Sequence, residues 1–251
     1  MPMKKIRLDT MLVERGVVPT LEKARALILA KAVRVDDAYL DRASALVSAD
    51  AQIHINGEDN PYVSRGGLKL AGALKEFHLD VRGLVALDVG ASTGGFTDCL
   101  LQAGASKVYA LDVGYGQLAW KLRQDPRVVV IERTNIRHYD GADFGESLDI
   151  ATIDVSFISL QSILPKVRQL LNDKGIILAL IKPQFEARRE EVGRHGVVTD
   201  PQVRKRIVQE IIGSCESLGL KVGGTCASPL LGPKGNTEFF IFAGKTIPDG
   251  N

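Results

Sequence analysis

From Leu84 to Ala227 the chain repeats one pattern, a short apolar run next to a stretch with helical spacing. The runs are LVALDV, KVYALDV, RVVVIE, LDIATID, GIILALI and LKVGGTCA. Runs this short and this evenly apolar suit strands buried on both faces, as in a mostly parallel sheet with helices packed on each side. TEFFIFAG follows the turn-rich LLGPKGN and reads as a final strand added antiparallel. The class predicted is α/β.

The start of the chain breaks this rhythm. RLDTMLVERG sets Leu8, Met11 and Leu12 on one helical face, with Gly16 as the stop. TLEKARALILAKA opens on Thr20 as an N-cap and lines Leu21, Ala24, Leu27 and Ile28 along one side. VRVDD and AQIHING read as short strands. A small α+β domain is expected over residues 1–62, a linker over 63–67 within the turn-rich NGEDNPYVSRGG, a large domain over 68–246 and a tail over 247–251.

Composition narrows the function classes. The longest unbroken apolar run, IILALI, is far short of the roughly 20 residues that cross a bilayer. No apolar stretch follows the basic start, so no signal peptide is read and a cytoplasmic protein without integral membrane association is expected. A net charge of +2 supplies no global field for nucleic acid, so such a partner must be met by a local patch. The three cysteines form no CxxC pair and the four histidines show no ligand spacing, so neither a disulfide framework nor a metal site is expected. Nothing points to an obligate protein partner.

LDVGASTGGFTDCL holds the strongest local signal. A strand ending in Asp88 runs into Gly90, Ser92, Gly94 and Gly95, then into a helix beginning with Phe96. Small residues let a ligand approach the backbone, and the helix start aims free amides at it. Asp112 ends the next strand, 24 residues after Asp88 (112 − 88), where an acid takes the ribose hydroxyls of an adenosine-containing cofactor. Asn135, after the third strand, is a candidate adenine contact. Ser92 breaks the strict GxGxxG spacing, and Asp88 is placed to meet an ammonium group, which S-adenosylmethionine (SAM) has and a dinucleotide lacks. SAM is favoured; NAD(P) and a tight turn without a ligand remain the alternatives.

Longer motifs carry a family resemblance. Lys69 in SRGGLKL, Asp154 in IDVSFISL, Lys182 in LIKPQFE and Glu238 in GNTEFF resemble the Lys–Asp–Lys–Glu tetrad of FtsJ-like 2′-O-ribose methyltransferases. The wording YVSRGGLKL, LDVGASTGGFTDCLLQ, IDVSFISL and IKPQFE resembles the TlyA family, also labelled haemolysin A, over essentially the whole chain. The resemblance implies a Rossmann-like SAM-methyltransferase sheet behind an S4-like domain. It implies 2′-O-methylation of a cytidine ribose in ribosomal RNA, 23S with 16S as a second target, and Lys182 as general base tuned by the other three residues. A lysine of ordinary pKa near 10.4 is protonated at neutral pH, so the role needs neighbours that release its proton. The rival readings are an rRNA-binding protein without catalysis and a membrane-active haemolysin. Trp120 in QLAWKL reads as packing, and His195 between glycines reads as a loop residue without a catalytic role.

RLDTMLVERGVVPTLEKARALILAKAVRVD resembles an S4-type RNA-binding domain, with ribosomal RNA or a ribosomal subunit as its partner. Lys4, Arg7, Arg15, Lys23, Arg25, Lys31, Arg34 and, near the linker, Arg65 are its candidate phosphate contacts. Two departures stand out: the Ser-Arg that often opens the second helix is Thr20-Leu21 here, and the usual following glycine is Lys31. Loss of that arginine puts one phosphate contact in doubt.

Overall fold

The computed structural model describes residues 5–30, 32–36, 38–55, 60–232 and 234–247, without the side chains of 54 and 55. The chain divides into two compact units, Met1–Asn60 and Pro61–Asn251.

In the first unit, β1 (Lys5–Arg7) leads into α1 (Leu8–Glu14) and α2 (Leu21–Leu29), followed by β2 (Val33–Val35), β3 (Ala38–Tyr39), β4 (Leu46–Ser48) and β5 (Ile53–Ile55). Gly16, at φ +67°, sits just past the end of α1 in the left-handed conformation that stops a helix. The Thr20 side chain caps α2 by accepting from Lys23 N at 3.2 Å. Both helices turn one face inward, so Leu8, Met11, Leu12, Ala24 and Ile28 form a core with Val33 and Val47. β1 pairs with β4, and β3, β2 and β5 form a second antiparallel sheet.

The second unit runs α3 (Arg65–Glu76), β6 (Val85–Val89), α4 (Gly95–Gln102), β7 (Lys107–Leu111), α5 (Trp120–Arg123), β8 (Val128–Ile131) and β9 (Leu148–Ile153). It continues through α6 (Leu164–Leu170), β10 (Leu171–Ile181), α7 (Pro183–Glu186), α8 (Pro201–Ser217), β11 (Lys221–Ala227) and β12 (Phe239–Gly244). The strands form one sheet in the order β11-β12-β10-β9-β6-β7-β8, and β12 pairs antiparallel with both of its neighbours. The doubly covered, mostly parallel sheet and the antiparallel last strand are as the sequence predicts.

Period-2 alternation sorts the core into two layers. Leu87, Tyr109, Ile153, Ile177 and Ile241 face α6 and α8; Ala86, Val108, Ile150, Leu178 and Phe240 face α3 and α4. Each fully buried leucine or isoleucine contributes about 1.5–3 kcal/mol. β11 departs from the expected buried strand. It is an edge strand with alternating exposure, and Gly223 and Gly224 sit opposite Phe242 and Phe77.

Residues 63–67 are also not a free linker. Val63 N donates to Asp98 Oδ2 at 2.8 Å, and Ser64 caps α3 by accepting from Gly66 N. Arg65, Gly66 and Gly67 are the first turn of that helix. The Ser64 cap and the Asp98 anchor override the local bias of the glycine pair.

Candidate functional site

The loop between β6 and α4 lies at the carboxyl edge of the sheet, where open α/β folds bind ligands. Two of its glycines are required by close approach. A Cβ on Gly90, at φ +85°, would stand 2.6 Å from the Asp154 carbonyl oxygen, and one on Gly95 would stand 2.2 Å from Ser64 Oγ. Gly94, also left-handed, is the N-cap of α4. Ser92 has φ +49°, and its N–H donates to Asp112 Oδ2 at 2.7 Å. Asp112 Oδ1 accepts from Gly114 N at 2.6 Å, so one carboxylate ties the glycine loop to the turn after β7.

Beside this loop opens a cavity of about 710 Å³, within the size range of small-molecule sites. Its wall includes Gly90, Ser92, Gly95 and Phe96 together with Lys69, Asp154, Lys182 and Glu238. These last four come from α3 and from the ends of β9 and β10 and the approach to β12. They form two ion pairs. Lys69 Nζ lies 2.6 Å from Glu238 Oε2, with the side chains 9% and 0% exposed. Lys182 Nζ lies 2.5 Å from Asp154 Oδ1 and donates to Ser156 Oγ at 3.1 Å. The Lys182–Asp154 contact is an ion pair, and Asp154 Oδ1 accepts no hydrogen bond among the described residues.

Other sites fall elsewhere than sequence reasoning put them. Asp88, Gly94 and Asp112 do not line the cavity. Strand alternation turns the Asp88 side chain under α4, where it is fully buried and accepts from Thr97 Oγ1 at 2.7 Å and Thr152 Oγ1 at 3.3 Å. Burial raises its carboxyl to about 7, against the two threonine hydroxyls. The Asn135 side chain caps a short 3-10 turn by accepting from Arg137 N, away from the cavity. Phe96 both lines the cavity and packs in the core, stacked on Phe240 at 6.1 Å. Trp120 is not packing, being 71% exposed because Leu118 and Leu122 take the inward positions around it. His195 is exposed and outside the cavity wall.

Among the S4-type cations, Lys23 and Arg25 are exposed. Arg7 and Arg25 both reach Asp9. Arg15 spends two nitrogens on the carbonyls of Ala51 and Ala49, a structural task. Arg34 lies in β2 with Nε buried and unpartnered among the described residues. Lys4 and Lys31 lie outside the described residues. Arg65 lines the cavity and donates to Leu231 O at 3.4 Å.

Sequence reasoning missed Phe157, Gln184, Phe185 and Asn236 in the cavity wall. Phe157 is 90% exposed at φ +64°, with its ring 4.9 Å from that of Phe185. A left-handed backbone is rare for a bulky residue, so Phe157 is a candidate for a functional role. Asn236 bonds both Val198 N and Gly196 O, joining two wall loops. All four stood within quoted motifs, Gln184 and Phe185 in IKPQFE, Phe157 in IDVSFISL and Asn236 in GNTEFF, and were legible as neighbours of Lys182, Asp154 and Glu238.

The cavity suits SAM. Small residues and backbone line one side, an aromatic ring stands beside them, and the wall holds the Gln184 Oε1 acceptor without a hydrogen-bond partner among the described residues. Among the described residues no group of three metal-ligating side chains occurs, and no helix is long and apolar enough to cross a membrane.

Fold and site together define a SAM-dependent methyltransferase of the Rossmann-like type. The FtsJ-like methyltransferase model matches residues 62–245, and the S4 domain model matches residues 6–53. YqxC of Bacillus subtilis is 50% identical over 96% of this chain and 86% of its own length. The 16S/23S rRNA (cytidine-2′-O)-methyltransferase TlyA of Mycobacterium tuberculosis is 45% identical over 95% and 90%. A solved structure from Streptococcus thermophilus, titled as a hemolysin, superposes with TM-score 0.77 at 42% identity over 97% of this chain and 90% of that one. The chain belongs to the FtsJ-like methyltransferases, in the TlyA group that carries a leading S4 domain.

Proposed function

We propose that this protein methylates the 2′-hydroxyl of a cytidine in ribosomal RNA, 23S with 16S as a second target, and works in the cytoplasm. The observation that carries the reading is the pairing of Lys69 with Glu238 and Lys182 with Asp154 in one cavity beside the glycine loop. The 45% identity to a protein named for this reaction supports the same substrate.

SAM supplies a methyl group already activated as a sulfonium. What the chain must add is alignment and removal of the hydroxyl proton. Gly90, Ser92, Gly94 and Gly95 carry the backbone that holds the cofactor, Phe96 packs beside it, and Asp112 accepts from its ribose with the lone pairs left over from two backbone N–H groups. Lys182 is the base that takes the proton from the ribose oxygen. Asp154 stabilises the ammonium that results and fixes its position at 2.5 Å. The buried Lys69–Glu238 pair braces the wall against which the ribose lies. Phe157 and Phe185 offer ring faces to the target base. Residues 1–62, with Lys23, Arg25 and Arg7 exposed, hold the RNA by its phosphates, while residues 68–246 carry out the reaction.

The test is transfer of labelled methyl from SAM to purified ribosomal subunits lacking the modification, comparing wild type with Lys182→Ala. Incorporation by wild type alone, mapped to a cytidine ribose, is the expected result. Equal incorporation by both proteins removes Lys182 as the base; none by wild type into either subunit or free rRNA overturns the substrate.

A further inference from the structure

Asp9 is a carboxylate with no place in the reaction. It is 1% exposed, yet it lies against two guanidinium groups that are about half exposed. Oδ1 accepts from Arg7 Nε at 3.0 Å and from Thr10 N at 2.9 Å. Oδ2 accepts from Arg7 Nη2 at 2.8 Å and from Arg25 Nε at 3.2 Å. Arg7, in strand β1, and Arg25, in helix α2, are thereby held to one buried anchor.

The anchor leaves donors free. Arg7 Nη1 and both terminal nitrogens of Arg25 have no partner among the described residues. The planar fork of arginine suits paired contacts to phosphate oxygens, and a guanidinium already oriented loses less side-chain freedom when one binds. A single carboxylate between two guanidiniums leaves the cluster with a net positive charge. Arg25 also stands four residues after Leu21, on the same face of α2, and position 21 is where the S4-type pattern has its arginine. Leu21 is 42% exposed and offers no donor.

We propose that Arg7 and Arg25, fixed by the buried Asp9, form a two-guanidinium clamp for an RNA phosphate, in which Arg25 replaces the arginine missing at position 21. Asp9 is the positioning residue and does not itself touch RNA. This rests on the reading of the leading unit as an rRNA-binding domain.

The experiment measures binding of the full chain to protein-free 23S rRNA across a salt series, with wild type, Arg25→Ala, Asp9→Asn and the double variant Leu21→Arg/Arg25→Ala. Each phosphate contact contributes about 0.7–0.9 to the slope of log K against log [salt]. Arg25→Ala is expected to flatten the slope by about that amount, and the double variant to restore it. Asp9→Asn, folded by circular dichroism, is expected to weaken binding although it removes a negative charge. A carboxylate that merely repelled RNA would give tighter binding instead. An unchanged slope in Arg25→Ala, or no recovery in the double variant, overturns the clamp while wild-type binding stands. If Asp9→Asn does not fold, the Arg25 pair of variants decides alone, because both change exposed positions. Failure of wild type to bind at any salt overturns the rRNA-binding reading itself, and the clamp with it.

Discussion

Glu238→Ala isolates the consequence of burying Lys69. The pair is 2.6 Å apart with side chains 9% and 0% exposed, so removing the carboxylate strands an ammonium away from water. Breaking one side of a buried pair costs about 3–5 kcal/mol, and in a domain of this size each kcal/mol moves Tm by roughly 2–4 °C. The variant is therefore expected to melt roughly 6–20 °C below wild type. Lys69→Met/Glu238→Leu removes both charges and keeps apolar volume, which is close to neutral for stability or better. Thermal unfolding by circular dichroism, run beside the methyl-transfer assay, separates the two effects. The double variant should hold its fold and lose transfer, whereas Glu238→Ala loses both. A Glu238→Ala melting point within about 2 °C of wild type, or a double variant as unstable as the single one, would refute the reasoning, since the cost per kcal/mol alone exceeds that margin.

Three further outcomes follow from the geometry. Burial holds the Asp88 carboxyl at about 7, whereas the unfolded chain releases that proton near pH 4, so the folded state is favoured at low pH and loses stability as pH rises between those values. The change is on the order of 4 kcal/mol, and urea midpoints from pH 4 to 8 should fall for wild type and flatten for Asp88→Asn. Gly90→Ala puts a Cβ 2.6 Å from the Asp154 carbonyl in a left-handed backbone, and should lower both Tm and transfer rate; unchanged kinetics would show the loop to be pliable. Phe157→Ala should leave Tm and SAM affinity unchanged, because the ring is 90% exposed, and raise KM for RNA roughly 5- to 150-fold if one base stacks there for about 1–3 kcal/mol. Equal KM values would remove that contact.

Much of this was legible in residue order. The apolar runs fixed the class of sheet, because a strand buried on both faces has few other homes. LDVGASTGGF located a glycine loop that borders the cavity, and the motif words around Lys69, Asp154, Lys182 and Glu238 named four residues that do meet in it. What pattern could not supply was direction. Asp88 belongs to a strand in which every residue is buried, so only the packing of Thr97 and Thr152 tells that its carboxylate turns away from the cavity. Trp120 looks like core in QLAWKL because composition cannot say which face of a four-residue helix is wet. Phe157 stands in the quoted IDVSFISL, but its exposure rests on a backbone angle that residue order does not show. Arg15 and Arg7 look alike as cations, yet one is spent on two carbonyls and the other on a buried acid.

The two halves of the site differ in how far apart in the chain their parts lie. The Ser92–Asp112 contact that shapes the glycine loop spans 20 residues, while Lys69 and Glu238 are 169 residues apart and meet only when β12 slots between β10 and β11. Closing the longer loop costs more chain entropy, a cost that grows only slowly with length. Loosening of β12 would part Glu238 from Lys69 while the Ser92–Asp112 contact stays made, a clutch between the two halves of the cavity wall, and faster amide exchange at Phe239–Gly244 than at Val85–Val89 would reveal it.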